Sequence, residues 1–252
     1  MPIGARMIDA LDHLTLGAPS IDAAIGTYET LIGRRASDGR LQTANVELEF
    51  AVGADAPGLS SMVFATPTLD KAATLLGRRG VPVEKSGALL SLSLSATHGV
   101  PISLTERTAG PTVPSALGQS DEASSIAALD HVVIRSPNPE RAIALYAGRL
   151  GLSLRLDRSN PEWGSRLLFF RCADLVIEIA HDLKNGVSDG PDRLWGLSWR
   201  VADIAGANAR MRAAGIDVSD RRDGRRPGSQ VFTVRSHTGG VPTLVIGGIG
   251  RW

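Results

Sequence analysis

An α+β fold built from two tandem copies is the class this sequence predicts, and three observations predict it. The segment Leu11-Asp12-His13-Leu14-Thr15-Leu16 returns 118 residues later as Leu129-Asp130-His131-Val132-Val133-Ile134, and the same offset joins Tyr28 to Tyr146 and Gly33 to Gly151. A stretch rich in Pro, Gly, Ser and Ala, from Thr108 to Ser125, lies between the copies and has no apolar period. Within each copy the order strand, helix, then about three strands occurs twice. A repeat of this length marks duplicated domains rather than a solenoid unit. The expected boundaries are 8–108 for the first domain, 109–126 for the linker and 127–250 for the second.

Each copy opens with a short apolar strand carrying one histidine. A helix follows, with Ile25, Tyr28 and Ile32 on its apolar face in the first copy and Ile143, Tyr146 and Leu150 in the second. The second strand–helix pair of the first copy runs from Met62-Val63-Phe64-Ala65 into Leu69–Leu76, with Gly80 as the stop. Its counterpart runs from Leu197-Ser198-Trp199-Arg200-Val201 into Ile204–Met211, with Gly215 as the stop. Strands are expected over 46–50, 89–94, 102–104, 152–156, 166–170, 175–179, 230–234 and 243–246. A unit of this kind exposes one apolar sheet face, so pairing with another unit is the physical reason for the duplication.

Composition narrows the function. Twenty-seven basic and 26 acidic residues leave a formal charge of +1, which provides no field to gather nucleic acid or an anionic membrane. No apolar run is long enough to span a bilayer, and none near the N-terminus suits a secretory signal, so the cytoplasm is the expected location. Cys172 is the single cysteine, which excludes an internal disulfide and reads as a small buried hydrophobe. The basic stretch Arg221-Arg222-Asp223-Gly224-Arg225-Arg226 reads as a solvated loop or as an anion gate at a pocket mouth.

The pattern resembles the vicinal oxygen chelate superfamily of glyoxalases, bleomycin-resistance proteins and extradiol dioxygenases, and more narrowly its two-domain glyoxalase-like members. The carriers are the two Leu-Asp-His strands, the helix ends Leu31-Ile32-Gly33 and Arg149-Leu150-Gly151, and the turns Gly99-Val100-Pro101 and Gly240-Val241-Pro242. The resemblance implies four βαβββ units forming two glyoxalase-like domains with cupped mixed β-sheets. It also implies a divalent metal, with iron, zinc, nickel, manganese and magnesium all open. Matching ligand positions are His13 and Glu49 in unit one and His131 and Glu178 in unit three. Units two and four break the pattern: their matching positions are Ser61 and Ser103, and Gly196 and Leu244, which are weak ligands or none. Each cup then holds two protein ligands, fewer than the three of a catalytic zinc. His98, His181 and His237 are the candidates for a third.

Each candidate has a structural alternative. His13 and His131 fit core histidines bonded to a carbonyl or to the adjacent aspartate. Glu178, among β-formers in Leu175-Val176-Ile177-Glu178-Ile179, is either a general base in a dry cup, paired with His131 as the catalytic set, or the wet face of a half-buried strand. Trp163, Trp195, Arg166, Arg226 and His237 are the expected substrate-binding residues, with Trp199 weighed beside them and assigned to the core. The function expected is that of a lyase or isomerase acting on a small oxygenated organic substrate by metal-assisted or carboxylate-assisted proton transfer. A metal-free sequestering protein is the rival, and extradiol ring cleavage is less favoured because no second histidine matches. The expected partners are a small-molecule substrate and a second copy in a homodimer, with no nucleic acid and no membrane.

Overall fold

The computed structural model describes residues 6–52, 57–107 and 123–248. Of the expected linker 109–126, residues 109–122 therefore lie outside the described residues, and 123–126 are described. Unit one contributes β1 (Ala10–Ala18), α1 (Ile21–Ile32), β2 (Leu41–Gln42) and β3 (Glu47–Val52). Unit two contributes β4 (Gly58–Thr66), α2 (Leu69–Arg78), β5 (Val83–Ser86), β6 (Leu89–Leu92) and β7 (Ile102–Glu106). Unit three contributes β8 (Ile126–Arg135), α3 (Pro139–Ile143) with a π-helical turn over Ala144–Arg149, then β9 (Ser153–Asn160), β10 (Ser165–Cys172) and β11 (Leu175–Asp182). Unit four contributes β12 (Arg193–Val201), α4 (Ile204–Ala213), β13 (Arg222–Asp223), β14 (Gln230–Val234) and β15 (Thr243–Gly247). The class is α+β, as the periodicity predicts.

All strands of the first two units form a seven-stranded mixed sheet in the order β2-β3-β1-β4-β7-β6-β5. Those of the last two form an eight-stranded mixed sheet in the order β13-β14-β15-β12-β8-β11-β10-β9. Unit one accounts for the difference, because two strands follow its helix among the described residues where the other units have three. By proximity the chain falls into two compact units, one within 1–12, 61–110 and 133–194, the other within 13–60, 111–132 and 195–252.

The helices start and stop for local reasons. Ser20 caps α1 by accepting from the Ala23 amide, and Asp203 caps α4 by accepting from the amides of Ala205 and Gly206. Gly33 ends α1 in the left-handed region at φ 80°, where a Cβ would stand 2.7 Å from Ser125 Oγ. Tyr28, Leu31 and Ile32 bury the inner face of α1, and the Tyr28 ring meets Phe50 of β3 edge-on at 5.6 Å. Tyr146 and Phe170 repeat that aromatic pair at 5.6 Å in the second copy.

Three short strands, β2, β5 and β13, have no periodic signal in the sequence because two to four residues cannot show one. The strand expected over 89–94 stops at Leu92, and Leu94 lies in the following turn, 55% exposed.

Candidate functional site

In β1 the side chains alternate, and the parallel register with β3 sets His13 beside Glu47 and Thr15 beside Glu49. Leu14 and Leu16 face the other way, opposite Leu48 and Phe50, on the side covered by α1. His13, Glu47 and Glu49 therefore share the face away from the helix, and His13 Nε2 comes within 3.5 Å of Glu49 Oε2. The structure thus brings together the imidazole and carboxylate nominated in unit one. It adds a residue that sequence reasoning missed. Arg40 donates from Nη1 to Glu47 Oε1 at 2.7 Å and contacts Glu49 Oε1 through Nη2 at 2.6 Å. No sequence signal marks Arg40, which lies outside every motif.

Unit three uses the same Leu-Asp-His phrase differently. Asp130 is buried at 1% exposure, and its Oδ2 accepts from His131 Nδ1 at 2.9 Å. On its other side, Arg200 Nε stands 3.8 Å from Asp130 Oδ1, with the Arg200 side chain 9% exposed. A buried carboxylate is costly unless cations or donors meet it, and Asp130 is met from both sides. An ionised carboxylate only accepts, so Nδ1 is the donor in this pair. In unit one the equivalent aspartate makes a different contact, Asp12 Oδ1 pairing with Arg107 Nε at 3.2 Å. The aspartate in the repeated phrase was the available clue to this dyad, and Arg200 gave none.

Glu178 is half-buried in β11, on one face with Val176 and Ala180 and opposite Phe169 of β10. It belongs to a different compact unit from His131. Arg166, nominated for a substrate carboxylate, is instead bonded within the fold: Nε and Nη2 grip Asp157 at 2.8 Å each, and Nη1 reaches Glu140 Oε1 at 2.6 Å. These bonds hold the Asp157 and Glu140 carboxyls below the ordinary carboxylate range. Trp163 sits in the β9–β10 turn, 38% exposed, with the Arg158 guanidinium 4.8 Å from its ring centroid. Trp195 is also 38% exposed, while Trp199 is fully buried. Arg226 and His237 are exposed, the latter with Nδ1 3.0 Å from Ser236 Oγ.

The other proposed ligand positions differ in their surroundings. His181 is 4% exposed with Nδ1 at 3.1 Å from the Ser136 carbonyl oxygen. Burial first, and Arg141 second, push His98 below the ordinary imidazole range. In unit two, Ser103 pairs with Ser91 at 3.0 Å through their hydroxyls. Gly196 is glycine because a Cβ there would stand 2.8 Å from the Pro242 carbonyl oxygen, which accepts the Leu197 amide. Among the described residues no three His, Cys, Asp or Glu side chains gather where one ion could be held. The donor set around His13 does not fit a resident catalytic metal, since its carboxylates already meet a guanidinium.

Residues 130–233 match the sequence model of the Glyoxalase/Bleomycin resistance protein/Dioxygenase superfamily. A protein named ethylmalonyl-CoA/methylmalonyl-CoA epimerase, from Cereibacter sphaeroides, is 29% identical over 100 residues, which are 37% of this chain and 75% of that protein. The Mn(II)-bound glyoxalase from Novosphingobium aromaticivorans has a TM-score of 0.73 at 15% identity, covering 97% of this chain and 84% of that one. The 2,3-dioxygenase LapB from Pseudomonas sp. KL28 has a TM-score of 0.71 at 14% identity, covering 99% and 95%. Identities this low speak for the fold alone. No helix among the described residues is long and apolar enough to cross a membrane.

Proposed function

We propose, from the premise that this chain carries the two-domain vicinal oxygen chelate fold, that it is an isomerase-type enzyme moving a proton beside a carbonyl of a small oxygenated substrate. The observation that carries this reading is the buried Asp130 carboxylate 2.9 Å from His131 Nδ1. It fixes the imidazole through Nδ1, and it stabilises the imidazolium that forms when the ring takes a proton. Arg200 places a positive charge near the other Asp130 oxygen, with Nε 3.8 Å from Oδ1. His131 is the proton-handling group, and Asp130 and Arg200 are positioning residues. Sequence likeness to a protein named as an epimerase favours isomerisation over lysis and over dioxygen chemistry.

A panel of carbonyl compounds with acidic α-hydrogens, assayed by solvent-deuterium incorporation, tests the reading. Exchange should fall by at least about a hundredfold in His131→Ala and in Asp130→Asn, because a positioned acid–base group is worth about 10²–10⁴ in rate. Exchange that survives His131→Ala sinks the proposal, and exchange abolished by exhaustive chelation would move the chemistry to a metal. Glu178→Gln tests that carboxylate separately: undiminished exchange removes it from the machinery.

The rival reading, a sequestering protein without turnover, has one observation in its favour. The ligand positions of units two and four hold Ser61, Ser103, Gly196 and Leu244. That reading requires retention of a compound from the same panel with no exchange by the wild type.

A further inference from the structure

The donors brought together in unit one already have a cation among them. We infer that the Arg40 guanidinium is the resident cation of the His13–Glu47–Glu49 cluster and that it shuts divalent metal ions out of this face of the sheet. The inference stands on the geometry of unit one and does not depend on the role given to His131.

Strand alternation sets two carboxylates, Glu47 and Glu49, on one face of β3, with His13 of β1 beside them. An imidazole and two carboxylates are donors that manganese, zinc and related ions accept. Two half-buried carboxylates side by side repel each other, so some positive charge has to stand between them. Arg40 supplies it with separate nitrogens, Nη1 to Glu47 Oε1 at 2.7 Å and Nη2 to Glu49 Oε1 at 2.6 Å. The width of the guanidinium keeps the two carboxylates apart and takes one oxygen from each. The remaining Glu49 oxygen turns toward His13 Nε2 at 3.5 Å. This spacing explains why three donors sharing one face do not converge on a common point.

The backbone holds Arg40 in that position. A tight turn closes with reciprocal Ser37–Arg40 amide-to-carbonyl bonds of 2.9 and 3.0 Å, with Asp38 and Gly39 both at positive φ. Arg40 then leads directly into β2, where Gln42 pairs with Glu47. Guanidinium does not lose its proton in a protein, so the cation persists at any pH the fold tolerates. The side chain is 53% exposed, so it can be removed without opening a cavity in the core.

Manganese titration of the full-length, untagged protein tests this, with free Mn²⁺ read by electron paramagnetic resonance. Arg40→Ala should bind one Mn²⁺ per chain at least about tenfold more tightly than the wild type, because the ion no longer has to displace two charge-assisted bonds. Adding Glu49→Gln to Arg40→Ala should abolish the gain. Circular dichroism and a thermal melt establish folding, and Arg40→Gln replaces Arg40→Ala if the latter does not fold. Equal affinity in wild type and Arg40→Ala overturns the inference. So does a gain that survives Glu49→Gln, and so does wild-type binding at one ion per chain that Glu49→Gln removes.

Discussion

Asp12 and Asp130 occupy the same place in a duplicated phrase, yet one pairs with Arg107 and the other with its neighbouring histidine. The difference is set by what stands nearby, an arginine in each case but from different elements, and no comparison of the two copies as strings shows it. Cys172 is a simpler case. Its thiol is 2% exposed and burial pushes it up to about 12, so it stays protonated and out of reach at neutral pH. Ellman's reagent at pH 8 should therefore leave the native protein unmodified and react with one thiol per chain in denaturant. Modification of native protein at the rate of an open thiol would contradict the burial.

Elements are joined here by side chains that looked functional in the sequence. Arg166 on β10 ties β9 through Asp157 to the start of α3 through Glu140. Both carboxyls titrate lower in the folded chain than in the unfolded one. Their contribution is therefore fully present above the unfolded values near pH 4 and disappears as the pH falls through the folded values. Asp157 and Glu140 are partly exposed, which limits the effect to that of a surface network. Arg166→Met should cost about 0.5–1 kcal/mol in urea unfolding at pH 7 and clearly less at an acid pH where the two carboxyls protonate in the folded chain. An equal loss at both pH values would mean that the stem of Arg166 matters through packing and its charge does not.

Across the whole molecule, two tyrosines at matching repeat positions have diverged. Tyr28 donates to the Thr238 carbonyl at 2.8 Å, joining segments 210 residues apart within one compact unit. Tyr146 is equally buried, but among the described residues its hydroxyl has no hydrogen-bond partner. Tyr28→Phe should destabilise the protein by about 1 kcal/mol through loss of that bond, although the Thr238 carbonyl keeps the Val241 amide at 3.0 Å, whereas Tyr146→Phe should be neutral or stabilising. Urea midpoints of the two variants measure the contrast, and equal shifts would refute it. Arg210 strengthens the same long-range closure by donating to the carbonyls of Thr30 and Leu31 at the end of α1.

Local chemistry was enough to reveal the repeat, the four helices, most strands and the left-handed glycine after α1, because caps, periodicity and glycine stops act over a few residues. Alternation along β3, a local property of any strand, likewise puts Glu47 and Glu49 on one face. Partner choice was beyond the reach of local signals. That Arg40 bridges two glutamates, that Asp130 has Arg200 behind it and that Arg166 is bonded inside the fold follow from strands distant in sequence meeting in a sheet. So does the need for Gly196, whose cause is a backbone approach from the turn before β15. Long-range register decides which charges share a dry space, and burial makes that sharing costly enough to select the partners.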